Sequence, residues 1–251
     1  MAEALRLERD GPIARLLIDR PDKRNAFNQA MWEALPVLVA EAVASDARVI
    51  LLTSARSGMF CAGADIGEMM ANRDYGGWRA ANQAAINRAQ YDLTRAAKPV
   101  IAFVDGDCIG GGCGLALAAD IRVATPRARF CITPANLGLV YPLHDTKLLV
   151  DLVGPGQAKR LLFTAGLIDA EEALRIGLIE AIAESAADLA ETIAGKSAHS
   201  VAGIKAFVRR VLDGQSNDDA DTLAAFAEAF IRPDFAEGAR AFLEKRKPDF
   251  S

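Results

Sequence analysis

The chain's 251 residues suffice for one large domain, or one domain with a small appendage, and 51% hydrophobic residues supply a sizeable core. A net charge of -4 argues against a nucleic-acid partner, which would want a basic face, and no apolar run approaches the length of a membrane span. Four cysteines without a C-x-x-C pair read as reduced, buried thiols, and with only His144 and His199 beside them a zinc centre or other metal site is not expected.

In chain order, the opening MAEALRLERDG lacks the basic-then-apolar order of a secretion signal, so a cytoplasmic protein is expected. Leu5 and Leu7 alternate with polar residues, Asp10-Gly11 makes a turn, and Ile13–Ile18 resumes the pattern, which predicts a hairpin. The loop at 20–25, RPDKRN, carries three cations. It reads either as a phosphate-binding surface or as an ordinary solvated loop. Asn28 is placed to cap a helix whose apolar positions Met31, Leu35, Leu38 and Val39 recur at helical spacing. Residues 49–53 form a buried strand, and 57–70, SGMFCAGADIGEMM, give a glycine-bearing loop running into a short helix. Residues 75–97 are helical, with Tyr75-Gly76-Gly77 as a flexible start.

The stretch at 98–123, KPVIAFVDGDCIGGGCGLALAADIRV, organises the rest. Val100–Val104 is a buried strand closed by the turn residues Asp105-Gly106-Asp107, and Gly110, Gly111 and Gly112 open a helix of small residues. Such a start leaves backbone N–H groups free and unobstructed, suited to an anion or a developing oxyanion. The alternative is that the glycines only let a helix pack tightly on a sheet. Strand, glycine loop and helix occur twice, at 49–70 and at 100–119. Two loops of this kind can point one N–H each at a single atom, which makes an oxyanion hole from backbone alone. Neither loop carries a G-x-x-x-x-G-K-[ST] or G-x-G-x-x-G phosphate motif, and no G-x-S-x-G elbow is present.

Residues 121–124 and 128–132 are strands, 143–153 and 156–163 helices. Asp169-x-x-Glu172 starts a short helix ending near Gly177, and 179–182 is a last strand. From about 186 the pattern is helical, interrupted by a polar linker at 213–219 and closed by an amphipathic segment at 236–245. A core at 1–185 and a helical tail at 186–251 is the natural division.

These stretches resemble the crotonase superfamily, the enoyl-CoA hydratase/isomerase family. The matching pieces are Ile18-Asp-Arg-Pro with Arg24-Asn-Ala, Phe60-Cys-Ala-Gly-Ala-Asp-Ile, Lys98-Pro-Val-Ile, Gly110-Gly-Gly-Cys, Asp120-Ile, Asn136-Leu-Gly-Leu and the tail from Glu237 to Pro248. They span nearly the whole chain in order. The resemblance implies an α/β crotonase (ClpP/crotonase-like) fold of repeated ββα turns with a C-terminal helical, trimerising region. It also implies homotrimers, or hexamers made as dimers of trimers. It implies an acyl-CoA thioester substrate, with no cofactor beyond the coenzyme A that the substrate carries. The oxyanion donors map onto Ala64 and Gly111. Lys23, Arg24 and Ala26 match contacts to the nucleotide end of coenzyme A, with Ala62, Asp65 and Ile66 alongside. Phe242 and Lys245 match residues given by a neighbouring subunit.

The chain also departs from the family pattern. The two glutamates by which the family's hydratases activate water fall at Gly114 and Pro134, and a lysine common after the Ala-Asp-Ile falls at Gly67. Neither glycine nor proline can move a proton. Polar candidates near the site are Thr133, Asn136, Tyr141, His144 and Asp145. Tyr141 lies in a stretch similar to the family's methylmalonyl-CoA decarboxylases, where a tyrosine stands in the site, although those carry histidine at the position of Ala64. The other reading packs the ring at the pocket rim. Adjacent helical positions point about 100° apart, which argues against a His144–Asp145 partnership. Cys61 and Cys113 read as small buried residues. Three functions are compatible with this: enolate chemistry on an acyl-CoA, decarboxylation or other carbon–carbon cleavage, and silent acyl-CoA binding.

Overall fold

The computed structural model describes residues 4–250. β1 (Leu5–Asp10) and β2 (Ile13–Ile18) form the antiparallel hairpin, with Leu5 opposite Ile18 and Asp10 opposite Ile13. A 3-10 turn at Pro21–Lys23 leads to α1 (Gln29–Ala44), capped by the Asn28 side chain, which accepts from Met31 N. Met31, Trp32, Leu35, Val39 and Ala42 line its buried face.

The chain then winds in turns, each made of a strand in one sheet, a short strand in a second sheet, and a helix. The first turn is β3 (Val49–Ser54), β4 (Met59–Cys61) and α2 (Ile66–Ala71), followed by the long α3 (Gly76–Thr94). The second is β5 (Val100–Val104), β6 (Asp107–Ile109) and α4 (Gly111–Leu117). The third is β7 (Ile121–Ala124), β8 (Arg129–Cys131) and α5 (Pro134–Leu137), with α6 (Leu143–Thr164) after it. β9 (Ile168–Asp169), α7 (Ala170–Arg175) and β10 (Ala181–Ile182) complete the sheets. The large sheet runs β1-β2-β3-β5-β7-β10 and the small one β4-β6-β8-β9. Equivalent strands of successive turns lie parallel and in register, Ile50 beside Val100 and Ile101 beside Ile121. The turns stack so closely that a Cβ on Gly106 would sit 2.1 Å from Gly58 O, and Gly106 has a φ of 87°; only glycine fits.

The main core fills the space between the large sheet and α1, α3, α4 and α6, around Trp32, Phe27, Phe60, Leu93 and Leu115. α8 (Ala187–Ala194) covers the other sheet face, where Ala190 and Ala194 meet Val49, Leu51, Ile101 and Val123. α9 (Ala198–Leu212), α10 (Ala220–Ile231) and α11 (Pro233–Leu243) follow, the linker at 213–219 falling between α9 and α10. Among the described residues no helix is long and apolar enough to cross a membrane.

Three local differences from the sequence reading have simple causes. β4, β6, β9 and α5 have two to four residues each, too few for a period to show. The two helices expected at 143–153 and 156–163 run as one element kinked at Gly154, whose φ of 71° breaks the helical path. The expected turn at Asp105-Gly106-Asp107 is instead the crossing from one sheet to the other.

Candidate active site

Phe27 N donates to Gly63 O at 2.7 Å, and Asp65 N donates to Phe27 O at 2.8 Å. This short parallel bridge between Phe27 and Ala64 turns the Ala64 N–H to the opposite side. In the next turn Gly110 N donates to Cys131 O at 2.7 Å, and Gly111 opens α4, where its N–H has no helical acceptor. The two N–H groups are neighbours: a Cβ on Gly111 would lie 3.4 Å from Ala64 N, and one on Gly63 would lie 3.0 Å from Gly111 N. Among the described residues neither has a protein acceptor. Two adjacent backbone donors without partners can take one oxygen between them. The indole of Trp32 closes one side, its Cζ2 3.5 Å from the position a Cβ on Gly111 would take.

The basic loop leads into this bridge. Arg24 and Asn25 both have left-handed backbone, and the buried Asn25 side chain holds the loop by donating to Ser54 Oγ, Met59 O and Phe60 O. Lys23 and Arg24 are exposed, although one Arg24 nitrogen lies 3.1 Å from Asp107 Oδ2. Ala62 N donates to Arg24 O, and Arg20 donates to Ala26 O. Asp65 is a structural carboxylate. Burial opposes its charge, but hydrogen bonds from Glu68 N and Arg20 outweigh that and hold it below its ordinary value. Ile66 is exposed beside it. The loop at 20–26, the segment at 62–66 and Gly111 are thus joined by hydrogen bonds and close packing, with Lys23, Arg24 and Ile66 exposed and Ala26 buried. Phe242 and Lys245 stand exposed at the end of α11, and among the described residues no hydrogen bond or ion pair ties either to the loop at 20–25.

At Gly114 the space for a side chain is taken. A Cβ there would meet Gln90 Nε2 at 2.4 Å, Asp145 Oδ2 at 2.8 Å and the Tyr141 hydroxyl at 3.3 Å. Pro134 opens α5 and carries no acid. Tyr141 does not sit at the rim. It is buried, and its hydroxyl donates to Gly110 O at 3.3 Å. Burial, and then the Asp145 charge, push its phenol well above the ordinary value, so it stays a neutral donor. His144 and Asp145, expected to point apart, approach to 3.5 Å between Nδ1 and Oδ1. The reach of the imidazole in the first turn of α6 closes the angular gap. The Cys61 thiol donates to Asn25 O, and burial pushes it up to about 12, while Cys113 donates to Cys108 O; both thiols are packing residues. Gln90 carries no sequence signal that separates it from Gln83 and Asn87 on the same helix, which face solvent or its margin. Among the described residues no cluster of His, Cys, Asp and Glu is placed to hold a metal ion.

The family described as enoyl-CoA hydratase/isomerase matches residues 8–251. A crotonyl-CoA hydratase of Syntrophomonas wolfei is 37% identical over 99% of this chain and 98% of its own length. A peroxisomal Delta(3,5)-Delta(2,4)-dienoyl-CoA isomerase of Arabidopsis thaliana is 31% identical over 99% and 96%. The crystal structure of an enoyl-CoA hydratase/isomerase family protein from Hyphomonas neptunium superposes with a TM-score of 0.96 at 40% identity, covering 100% of this chain and 98% of that one.

Proposed function

We propose, from the premise that this chain belongs to the enoyl-CoA hydratase/isomerase family and has the crotonase fold, that it is an enzyme of acyl-CoA thioesters working through an enolate. The observation that carries this reading is the adjacent, unpartnered pair of N–H groups on Ala64 and Gly111. A thioester oxygen placed between them gains little while the carbonyl is neutral. It gains much once loss of an α-substituent puts negative charge on it, and donors fixed in advance need no reorganisation at that moment. Lys23 and Arg24 offer exposed positive charge for the phosphates at the nucleotide end of coenzyme A. Ala26, Ala62, Asp65 and Ile66 form the wall between that end and the donors. The donors are intact, which favours catalysis over silent binding.

Gly114 and Pro134 leave no carboxylate at the two positions where the family's hydratases hold theirs, so hydration by a glutamate pair is not the expected reaction. Double-bond isomerisation needs only an enolate and one group that moves a proton. For decarboxylation, the Tyr141 hydroxyl would have to reach a substrate carboxylate, yet it is engaged with Gly110 O. Isomerisation is therefore the first reading and decarboxylation the second.

The test is a side-by-side assay of a 3-enoyl-CoA, crotonyl-CoA and methylmalonyl-CoA, with binding of each measured by calorimetry. The 3-enoyl-CoA should be turned over faster than crotonyl-CoA is hydrated. Rapid hydration of crotonyl-CoA would overturn the argument from Gly114 and Pro134. Failure to bind any of the three would end the thioester reading itself.

A further inference from the structure

Resting on the enolate reading, we propose that Asp145 is the proton-transferring carboxylate of this site, brought from α6 into the space beside Gly114. Its side chain is 2% exposed. Oδ2 accepts one hydrogen bond, from Gln90 Nε2 at 3.1 Å, while Oδ1 has no hydrogen-bond partner. Gln90 Oε1 is buried without a hydrogen-bond partner too, and the buried His144 Nδ1 faces Oδ1 at 3.5 Å without a hydrogen bond. A carboxylate this buried that holds one bond from a neutral amide is costly to the fold. Unsatisfied buried groups of this kind call for an explanation in function. The bland role, an acid in the first turn favoured by the α6 dipole, is filled as well by an exposed side chain and does not require burial.

The location decides the role. A Cβ on Gly114 would lie 2.8 Å from Oδ2, and Gly114 is one turn of α4 beyond Gly110 and Gly111. The Tyr141 hydroxyl, 3.3 Å from the same point, reaches Gly110 O. The carboxylate therefore stands against the residue one turn of α4 beyond the Gly111 donor. Of the other buried groups nearby, the Tyr141 phenol and the Cys108 thiol are both pushed up by burial and do not act as bases near neutrality, and the Cys113 thiol is engaged with Cys108 O. His144, part-exposed and 3.5 Å from Oδ1, connects the buried carboxylate to solvent. In the step itself the Asp145 carboxylate takes a proton from the α-carbon. The C–H bonding pair becomes the enolate, with its charge on the oxygen between Ala64 and Gly111. The same carboxylic acid returns the proton to the α-carbon, or to the γ-carbon in an isomerisation.

Exchange of the α-protons of butyryl-CoA in deuterium oxide, followed by NMR, reads this step without any need to know the natural acyl group. The wild-type protein should exchange them. Asp145→Asn keeps the shape and an acceptor for Gln90, and should slow exchange by about 10²-fold or more with the dissociation constant for butyryl-CoA unchanged. If that variant does not fold, Asp145→Ser removes the carboxylate with a smaller side chain and should show the same loss. Exchange at the wild-type rate in either folded variant overturns the proposal, as does a wild-type protein that binds butyryl-CoA and exchanges nothing. Absence of binding to the wild-type protein overturns the functional reading, and this proposal with it.

Discussion

A single methyl group at Gly63 would fall 2.8 Å from Ile109 O and 3.0 Å from Gly111 N, on a backbone held at a φ of 93°. Both neighbours are main chain and cannot swing aside, so Gly63→Ala must push the two loops apart. Ala64 and Gly111 would then no longer aim at one oxygen. The expected result is a fall in kcat approaching the ~10²–10³-fold cost of losing one oxyanion donor. The dissociation constant for a CoA thioester should change less than kcat, because Asn25 also ties the basic loop to Ser54, Met59 and Phe60, away from Gly63. Equal kcat in a folded Gly63→Ala protein would remove the donor pair from the mechanism. The two strand–glycine–helix units were legible in the sequence pattern, while the choice of Ala64 and Gly111 within them is what the family resemblance implies. The Gln90–Asp145–Tyr141 group around Gly114 was not. Gln90 lies some fifty residues before Tyr141 and Asp145, with Gly114 between them, and no local period records that α3, α4 and the start of α6 meet there. Tyr141 and Asp145 both stand among the polar candidates of the sequence reading, but their burial, the Tyr141 bond to Gly110 O and the Gln90 bond to Asp145 do not.

At the scale of elements, the winding depends on carboxylates at the crossings between the sheets. Asp105 accepts from Arg127 at 2.6 and 2.8 Å, from Thr125 Oγ1 at 3.1 Å and from Gly58 N at 3.3 Å. Asp107 takes both Arg129 and Arg24. Each ties one turn of the coil to another. The hydrogen bond from Arg127, opposed by burial, holds the Asp105 carboxyl below its ordinary 3.8. A depressed value in the folded state means stability that is present above pH 3.8 and lost as pH falls through the lower, folded value. Asp105→Asn should therefore melt below wild type at pH 7, and the difference should close as the pH is taken below 3.8. Thermal melts across that range check it; a constant difference would mean the aspartate acts by shape rather than charge. The long strands β2, β3, β5 and β7 and the helices α1, α3 and α6 announced themselves through apolar runs and helical spacing. Of the small sheet only β8 did, read at 128–132; β4 and β6 have three residues each and β9 two. Their partners are supplied by the neighbouring turns, which is information the sequence holds only globally.

In the whole molecule, the three last helices are under-packed for a single copy. α9 buries no residue fully, and α10 buries only Thr222. Ile204, Val208 and Val211 on α9, and Leu223, Phe226, Phe230 and Ile231 on α10, are exposed. Phe226, Phe230 and Phe235 stack edge to face into an aromatic ridge with centroids 5.4 and 5.2 Å apart. Apolar surface on this scale is what subunit contacts cover. We expect homotrimers or dimers of trimers in solution, with Phe242 and Lys245, both exposed here, reaching the nucleotide end of the coenzyme A held by a neighbour's Lys23 and Arg24. Two variants separate assembly from binding. Phe226→Asp with Phe230→Asp should give monomers by light scattering that bind a CoA thioester weakly, because the neighbour's residues are gone. Lys245→Glu should leave the assembly intact and weaken binding most at low salt, where the reversed charge is least screened. A wild-type monomer, or dispersed subunits that keep full affinity, would show that each chain completes its own site.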